Sequence, residues 1–357
     1  MQAGASLPVR SSSGNWLLFA SERYALPILK PLQQAIEARG ERAYWWCVDG
    51  ARELDIADPW RIRSAAQARA LQPVAVFSAA NWVPHFLSGP KVQVFHGFNV
   101  EKRPDQRGHF RIRGLFDLYC TQGPATTRPF QQLAAELGHF CVRQTGWPKL
   151  DPLFAGPTIA RPAAAEGRRI VLFGSTFTER LSAAPLLLDT LRQLIQRGDR
   201  YWLLTLHPKC PPELFRAYRA LACEHAQFVE PENLMEAQAQ ADMLLADTSS
   251  IVSEFVVQLK PVVTFRNRAP KSHMIDVQSA DQIDEALHRA AAPDRPLLDT
   301  IQSYADDIHP YRDGSSSQRV LAACDDWHRG RLSIRGRKPF NWLRKLQVRQ
   351  RLGYWRL

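Results

Sequence analysis

Two histidines stand where apolar strands are predicted to end. His96 follows the apolar stretch 91–95, and His207 follows the stretch 202–206. Histidine is the side chain that most readily accepts or donates a proton near neutral pH. One histidine after a strand is more often an ordinary loop residue, but two, one in each half of the chain, favour a catalytic interpretation. Gly97 would let a ligand approach the backbone beside His96.

A group of hydroxyls follows a third apolar strand. Asp247 ends that strand, and Thr248, Ser249 and Ser250 begin a predicted helix. The amides of a helix N-terminus and nearby hydroxyls donate hydrogen bonds to anions, so this segment predicts a phosphate site. The alternative is helix capping, in which Ser249 or Ser250 closes the helix start and Glu254 completes the arrangement.

Strands and helices that would position these residues alternate along the chain. The alternation is interrupted at 156–168, which is rich in Gly, Pro and Ala, and then resumes. Alternating strands and helices predict βαβ units and parallel sheets. We therefore predict an α/β fold of two Rossmann-like doubly wound domains facing a cleft, 1–155 and 169–326, joined by the linker 156–168. In such sheets ligands bind beyond the C-terminal ends of the strands.

Several functional classes lack their usual motifs in this sequence. We find no glycine-rich dinucleotide fingerprint, no P-loop, no G-x-S-x-G nucleophile motif and no H-E-x-x-H metal pair. The six cysteines are scattered, which favours buried thiols in a reducing compartment over a structural zinc site. No apolar run is long enough for a transmembrane helix, and the first residues lack a secretory signal pattern. These observations predict a cytoplasmic location and no metal ligands.

The positive charge is concentrated at the C-terminal end. The segment 327–357 has ten Lys/Arg and no Asp/Glu, whereas the rest has 36 basic and 35 acidic residues, and the whole chain carries +11. Trp and Leu residues alternate with these basic residues, which favours binding to an anionic membrane surface. Two alternatives are a basic helix that packs on the body and a nucleic-acid-binding tail. Nucleic acid is an unlikely partner because the body is close to neutral.

A series of motifs resembles the CDP-glycerol glycerophosphotransferase family, the polymerases and primases of teichoic-acid synthesis. The matches occur in order between about residues 90 and 325, as Phe95-His96-Gly97, Gly146-Trp147-Pro148-Lys149-Leu150-Asp151, His207, Ala241 to Ser250 with its Asp-Thr-Ser-Ser end, Lys260-Pro261 and Asp313 to Arg319. The chain departs from the family pattern where Phe95 replaces a tryptophan and where Ser253-Glu254 replaces Phe-Asp. The polyol unit and the acceptor therefore stay open.

The resemblance implies a GT-B-type fold that binds the acceptor in the N-terminal half and a CDP-alcohol in the C-terminal half. His96 would be the general base that deprotonates the acceptor hydroxyl, which attacks the β-phosphorus and releases CMP. The implied donor phosphate ligands are His207, Thr248, Ser249, Ser250, Lys209 and Arg319. The implied supporting residues are Gly97, Asp151, Asp247, Glu254 and Asp313.

By the same resemblance, CDP-glycerol is the expected co-substrate, and no other cofactor is implied. A requirement for a divalent metal stays open. A lipid-linked or glycan acceptor would place the enzyme on the inner face of the cell membrane. The runner-up is another GT-B enzyme, either a nucleotide-sugar glycosyltransferase or a UDP-N-acetylglucosamine 2-epimerase, because Ser253-Glu254 is similar to the epimerase pattern.

Overall fold

Two parallel β-sheets, one in each half of the chain, form the framework of the protein. The computed structural model describes residues 14–98, 110–156 and 159–355. The strands of the first sheet are β1 Asn15–Ala20, β2 Arg42–Cys47, β3 Arg61–Ile62, β4 Val76–Ser78, β5 Lys91–Gln93, β6 Leu118–Thr121 and β7 Cys141–Gln144. Those of the second are β8 Arg169–Ser175, β9 Arg200–Leu206, β10 Ala226–Phe228, β11 Met243–Ala246, β12 Val262–Phe265 and β13 Ile275–Val277.

Both sheets have the strand order of doubly wound folds. Among the described residues the first sheet runs β3-β2-β1-β4-β5-β6-β7 and the second runs β10-β9-β8-β11-β12-β13. Every pairing between adjacent strands is parallel. The order reverses between β1 and β4 and again between β8 and β11, which are the positions where such sheets bind ligands. The predicted α/β class is confirmed.

Helices cover the sheets, which explains the nearly continuous apolar character of the strands. All seven residues of β9 and all four of β11 are buried, as expected for parallel strands covered on both faces. The helix that follows β1 buries Ile28, Leu29, Leu32 and Ile36 along one face. The helices are α1 Leu26–Ala38, α2 Ala65–Ala70, α3 Pro124–Leu137, α4 Asp151–Ala155, α5 Ala184–Gln196, α6 Pro212–Arg219, α7 Leu234–Gln240, α8 Ile251–Val256, α9 Ile283–Ala291, α10 Arg295–Ile308, α11 Ser316–His328 and α12 Trp342–Arg351.

The chain returns from the second half to the first through α10 and α11. Helix α11 packs against α1, and Arg39 forms an ion pair of 2.9 Å with Asp325 on α11. One continuous apolar core contains side chains from both halves, including Trp147, Leu172 and Val320. The two sheets lie inside the ranges proposed for the two domains, but the domain limits themselves stay a prediction.

The basic C-terminal segment folds back onto the first half. The ring of Tyr354 is buried and stacks on Phe86 at 4.6 Å, and its hydroxyl accepts a hydrogen bond from Arg69 at 2.9 Å. Lys338 Nζ lies 2.7 Å from Asp117 Oδ1. The described part of this segment therefore packs on the body, as one of the alternative interpretations expected, while the outer side of α12 stays exposed. None of the helices in the described ranges has the length and apolar content needed to cross a bilayer.

Candidate active site

A left-handed residue ends β5 before it reaches His96. The sequence predicts a strand over 91–95, but β5 ends at Gln93. Phe95 has φ +60°, a conformation that a β-strand does not accommodate. Its ring is buried against Phe130, with centroids 5.1 Å apart, while His96 is exposed. Because Phe95 turns the chain, His96 lies on a short loop beyond the strand instead of continuing the sheet.

The hydrogen bond of His96 fixes which ring nitrogen can act as a base. His96 Nδ1 lies 3.1 Å from the carbonyl oxygen of Ala79. Since a carbonyl only accepts, Nδ1 carries the proton and the Nε2 lone pair stays available in the neutral ring. Packing around the ring lowers the pKa of His96 below its ordinary 6.5, and the charge of Arg113 acts in the same direction, against the opposing effect of the Ala79 hydrogen bond. Neutral His96 has the form that a general base requires.

The backbone hydrogen bond of His207 favours protonation at the other ring nitrogen, Nε2. His207 directly follows β9, and its Nδ1 accepts a hydrogen bond of 3.1 Å from the backbone N–H of Lys209. In the neutral ring Nε2 therefore carries the proton and can donate it to an anionic oxygen. Phe177 supports the ring with centroids 4.4 Å apart, and Lys209 Nζ lies 5.5 Å from the Phe177 ring centre. His207, Phe177 and Lys209 thus form one cationic and aromatic group at the end of β9.

The hydroxyl segment does not form the capping arrangement that was considered as the alternative. Ser250 is the N-cap of α8, but its side chain makes no capping hydrogen bond. The Ser249 hydroxyl lies 3.5 Å from the Ile251 amide, at the limit of a hydrogen bond. Thr248 Oγ1 accepts a bond of 2.9 Å from the Arg268 amide, which fixes its orientation. Neither hydroxyl donates to an acceptor among the described residues, so Ser249 and Ser250 can donate to a ligand.

Asp247 anchors this segment instead of facing a ligand. Its carboxylate is fully buried and accepts hydrogen bonds from Ser175 Oγ at 2.6 Å, the Thr176 amide at 3.0 Å and the Ala183 amide at 3.0 Å. Burial raises the pKa of Asp247, although these hydrogen bonds act in the opposite direction. The carboxylate joins the ends of β8 and β11, where the strand order reverses. It therefore supports the site by holding its backbone in position.

The segment 146–151 joins the two halves. The Asp151 carboxylate accepts hydrogen bonds from the amides of Ser316 at 2.8 Å and Ser317 at 2.7 Å. These amides begin α11, so Asp151 caps this helix from the other half of the chain. Burial raises the pKa of Asp151 against the opposing effect of these bonds. Gly146 has φ +82°, and a Cβ there would lie 2.4 Å from Ser316 Oγ, so this joint requires glycine.

Glu254 belongs to the same joint. Its Oε2 lies 2.6 Å from Lys149 Nζ, and both side chains are largely buried. The capping role considered from the sequence is therefore replaced by an ion pair between the halves. Tertiary packing made this pair, because Lys149 and Glu254 are 105 positions apart.

Asp313 and Arg319 pair with each other. The Arg319 guanidinium donates to Asp313 and lies 3.8 Å from the centre of the Tyr311 ring. Both contacts of Arg319 are with residues of the same segment, 311–319, and neither is with Ser249 or Ser250. Arg319 Nη1 is buried without a hydrogen-bond partner among the described residues. The structure thus supplies no contact between Arg319 and the other residues predicted to hold phosphate.

A cavity of about 740 Å³ opens between the two halves. Arg128 of α3 contributes to its walls from the first half, and Lys271, Thr300 and Tyr304 contribute from the second. Its walls do not include His96, His207 or the hydroxyls of residues 248–250. The candidate site is assigned to the strand ends, where parallel sheets bind ligands, although Arg128, Lys271 and His273 also line this cavity.

One group of potential metal ligands is present among the described residues, and an arginine occupies its centre. Asp199, Asp284 and His288 could approach a common ion. However, Arg200 lies 2.7 Å from Asp284, 3.2 Å from Asp199 and 3.0 Å from His288. Arg200 begins β9, at the edge of the sheet opposite His207. Its guanidinium takes the place that a cation would have, so this group is not a metal site.

Sequence reasoning missed Tyr24 and His309 and gave Lys149 no role. Tyr24 stacks on His96 with centroids 5.1 Å apart, and Lys149 pairs with Glu254. His309 is buried and accepts a hydrogen bond of 2.9 Å from the Trp147 amide. Tyr24 lies shortly after the end of β1, so the rule that identified His96 could also have identified it. The other two contacts have no local sequence signal.

Solved structures share this fold. No protein-family model and no curated protein sequence matches the chain. The wall teichoic acid polymerase TagF has a TM-score of 0.64 and 14% identity, covering 89% of this chain and 90% of that chain. MnaA of S. aureus, solved with UDP, has a TM-score of 0.61 and 13% identity, covering 91% and 100%. A UDP-N-acetylglucosamine 2-epimerase described for Listeria monocytogenes has a TM-score of 0.62 and 13% identity, covering 91% and 99%. The predicted GT-B-like fold is confirmed.

Proposed function

We propose that this chain is an enzyme that transfers a polyol-phosphate unit, such as glycerol phosphate, from a CDP-alcohol to a hydroxyl of an acceptor. One observation carries the proposal: the two strand-end histidines have complementary protonation. His96 offers a lone pair at Nε2, and His207 offers a proton at Nε2. One can deprotonate a hydroxyl while the other stabilises a phosphate oxygen, which are the two requirements of phosphoryl transfer.

The reaction then has a balanced sequence of bond changes. The acceptor hydroxyl gives its proton to His96 Nε2, and its oxygen forms a bond to the β-phosphorus. The bond from that phosphorus to the bridging oxygen breaks, and CMP leaves with the electron pair. The Nε2–H of His207 and the hydroxyls of Ser249 and Ser250 donate to the phosphate oxygens on which charge accumulates. Asp247 keeps the hydroxyl segment in place through its bonds to Ser175 and Thr176.

The comparison with TagF supports this assignment at the level of fold. Among the matching structures is a histidine-substituted form of TagF soaked with CDPG, with a TM-score of 0.60 and 15% identity. A likeness at this identity shows a shared fold and leaves the substrate to be tested. The polyol, the acceptor and the number of units transferred therefore have to be identified by experiment.

A nucleotide-sugar epimerase is the second candidate, and one observation favours it. Structures of that class match the fold about as well as TagF. Ser253-Glu254 is also similar to the epimerase pattern, a resemblance that implies ribose binding by Glu254. In this structure Glu254 Oε2 is held by Lys149 at 2.6 Å. Binding of ribose by that oxygen would require the ion pair to open.

A ligand panel measured by thermal stability tests the proposal and separates the two candidates. A CDP-alcohol present at about 100 times its dissociation constant should stabilise the protein by about 2.7 kcal/mol and raise the midpoint by several degrees. The double variant Ser249→Ala/Ser250→Ala should weaken this binding about tenfold or more, because each hydroxyl donates to a charged phosphate. A shift with UDP-N-acetylglucosamine alone would reject phosphotransfer, and unchanged affinity in the double variant would reject the role of the hydroxyls.

We also propose that the outer side of α12 contacts an anionic membrane. Phe340 and Trp342 are 79% and 57% exposed, Leu343 and Leu346 are also exposed, and Lys345 lies beside them. Aromatic and aliphatic side chains beside Lys/Arg suit the interface of anionic lipids.

Trp342→Ser/Leu346→Ser should lower binding to vesicles of equal parts phosphatidylglycerol and phosphatidylcholine about tenfold or more, because two exposed apolar side chains that would enter the lipid interface are lost. Flotation of the full chain with these vesicles measures the binding. Leu186→Ser is the matched control, since Leu186 is equally exposed on α5, far from the basic segment in sequence. An equal loss of vesicle binding in both variants would contradict the proposal that this surface contacts the membrane. Deleting the segment is a poorer test, because it also removes the buried Tyr354 and Val348.

A further inference from the structure

A second cavity lies between the C-terminal helix and the first sheet. It has a volume of about 260 Å³ and is lined by Asn81, Trp82, Arg113, Arg344, Gln347 and Arg351, among others. Three arginines therefore line a space large enough for a phosphate and part of the group that it carries. Arginine provides several planar donors, which suit phosphate recognition.

The charge of this cavity is only partly neutralised. Arg351 pairs with Asp49 at 2.7 Å and stacks over Trp82 at 4.2 Å. In contrast, Arg113 donates to the Arg111 carbonyl at 3.2 Å, and Arg344 donates to the Arg113 carbonyl at 3.3 Å. Among the described residues no carboxylate pairs with the guanidinium of Arg113 or Arg344. Two like charges kept together in a partly buried place favour an anion between them.

This cavity lies beside His96. Asn81 and Trp82 follow β4, and the carbonyl that His96 bonds belongs to Ala79 in the same loop. Packing lowers the pKa of His96, and the charge of Arg113 acts in the same direction. Burial raises the pKa of Tyr24, whose ring stacks on His96, and the charge of Arg351 opposes that rise. Arg351 stacks over Trp82 of this loop, so the loop that holds His96 also lines the cavity.

We propose that the cavity lined by Arg113, Arg344 and Arg351 binds a phosphate group of the acceptor and so places the acceptor hydroxyl at His96. This inference rests on the proposed function. It gives the C-terminal segment a second role: Arg344 and Arg351 of α12 complete a binding site on the first half of the chain. An acceptor that already carries phosphate is the class of substrate that this cavity selects.

Inorganic phosphate serves as the probe, and His96 serves as the local readout. Bound phosphate places negative charge near His96, favours its protonated form and should raise its pKa, which NMR titration of the full chain measures. Calorimetry should show phosphate binding that falls about tenfold or more in Arg113→Gln and in Arg344→Gln. Arg337→Gln is the matched control, because Arg337 is exposed in the same basic segment.

The controls distinguish this cavity from the other sources of phosphate affinity. Ser249→Ala/Ser250→Ala should leave the phosphate-induced rise in the pKa of His96 unchanged. If this double variant loses the rise, the phosphate binds at the donor site and the proposal is overturned. Equal losses in Arg337→Gln and Arg344→Gln would show a diffuse charge effect and overturn it as well. If Arg344→Gln lowers only binding to phosphatidylglycerol vesicles, while inorganic phosphate does not bind the wild type, the cavity serves lipid headgroups and the acceptor assignment is wrong.

Failure of this inference is distinguishable from failure of the proposed function. Loss of the phosphate effect with intact CDP-alcohol binding overturns the cavity and leaves phosphotransfer standing. Absence of CDP-alcohol binding and turnover overturns the acceptor assignment together with phosphotransfer, even if phosphate still binds.

Discussion

Replacing His96 by glutamine is expected to lower turnover of a CDP-alcohol about 10³-fold and to leave the affinity for that donor nearly unchanged. General-base catalysis contributes about 10²- to 10⁴-fold, and glutamine cannot accept a proton at neutral pH. The glutamine amide can still donate to the Ala79 carbonyl that now bonds His96 Nδ1. The substitution therefore removes the base and keeps the local hydrogen bond. Single-turnover rates and calorimetric donor binding, measured on the same protein, separate the two effects.

The pH dependence of kcat/KM is a second test of His96 as the general base. Only neutral His96 can accept the proton, so kcat/KM should fall as pH decreases through the pKa of His96. Packing lowers this pKa, so the inflection should lie below 6.5 in the free enzyme. His96→Gln should abolish this inflection together with most of the rate.

His328→Gln is the matched control for both measurements. His328 is also exposed and also bonds one backbone carbonyl, that of Val74 at 3.1 Å. Its substitution should change neither turnover nor the inflection. A His96→Gln protein that turns over within a factor of ten of the wild type would remove His96 from the mechanism, and loss of donor binding would show that the residue acts in binding instead.

Replacing Asp151 by alanine is expected to lower the free energy of unfolding by about 3 kcal/mol. Two buried amides at the start of α11 would lose a charged acceptor, and each unpaired buried group costs about 1–3 kcal/mol. Asp151 is buried, and its oxygens lie 2.8 and 2.7 Å from the amides of Ser316 and Ser317. Chemical denaturation measures the change, with calorimetry as a second probe because the unfolding of the two halves can separate.

Asp307→Ala is the control for Asp151→Ala. Asp307 also connects the halves, through a pair with Arg128 at 3.6 Å, but both side chains are exposed. Exposed pairs contribute about 0–1 kcal/mol, so this substitution should have a small effect. If Asp151→Ala keeps full stability but loses donor or acceptor turnover, the capping role is wrong and the carboxylate acts on substrate.

The sequence by itself determined the fold class and predicted the strand ends that carry the candidate residues. Apolar strands alternating with helices predicted two parallel sheets, and the ends of β9 and β11 brought His207 and Ser249 to the edge where such sheets bind ligands. These predictions rest on local periodicity, which depends on neighbours a few positions away. The exact end of β5 was missed because Phe95 adopts a left-handed conformation that its side chain gives no reason to expect.

Only the tertiary structure decided what each candidate residue does. The protonated nitrogen of His96 depends on a carbonyl 17 positions away, and Asp151 finds its amide partners 165 and 166 positions along the chain. The basic segment folds back through Tyr354, whose partner Arg69 is 285 positions earlier. Such pairings depend on how completed elements pack, since an amide or a charge takes whichever partner the fold brings within hydrogen-bond distance. Residue type and spacing therefore predicted where the candidate residues lie, and packing decided which ring nitrogen of each histidine makes a backbone hydrogen bond and which side chains hold the two halves together.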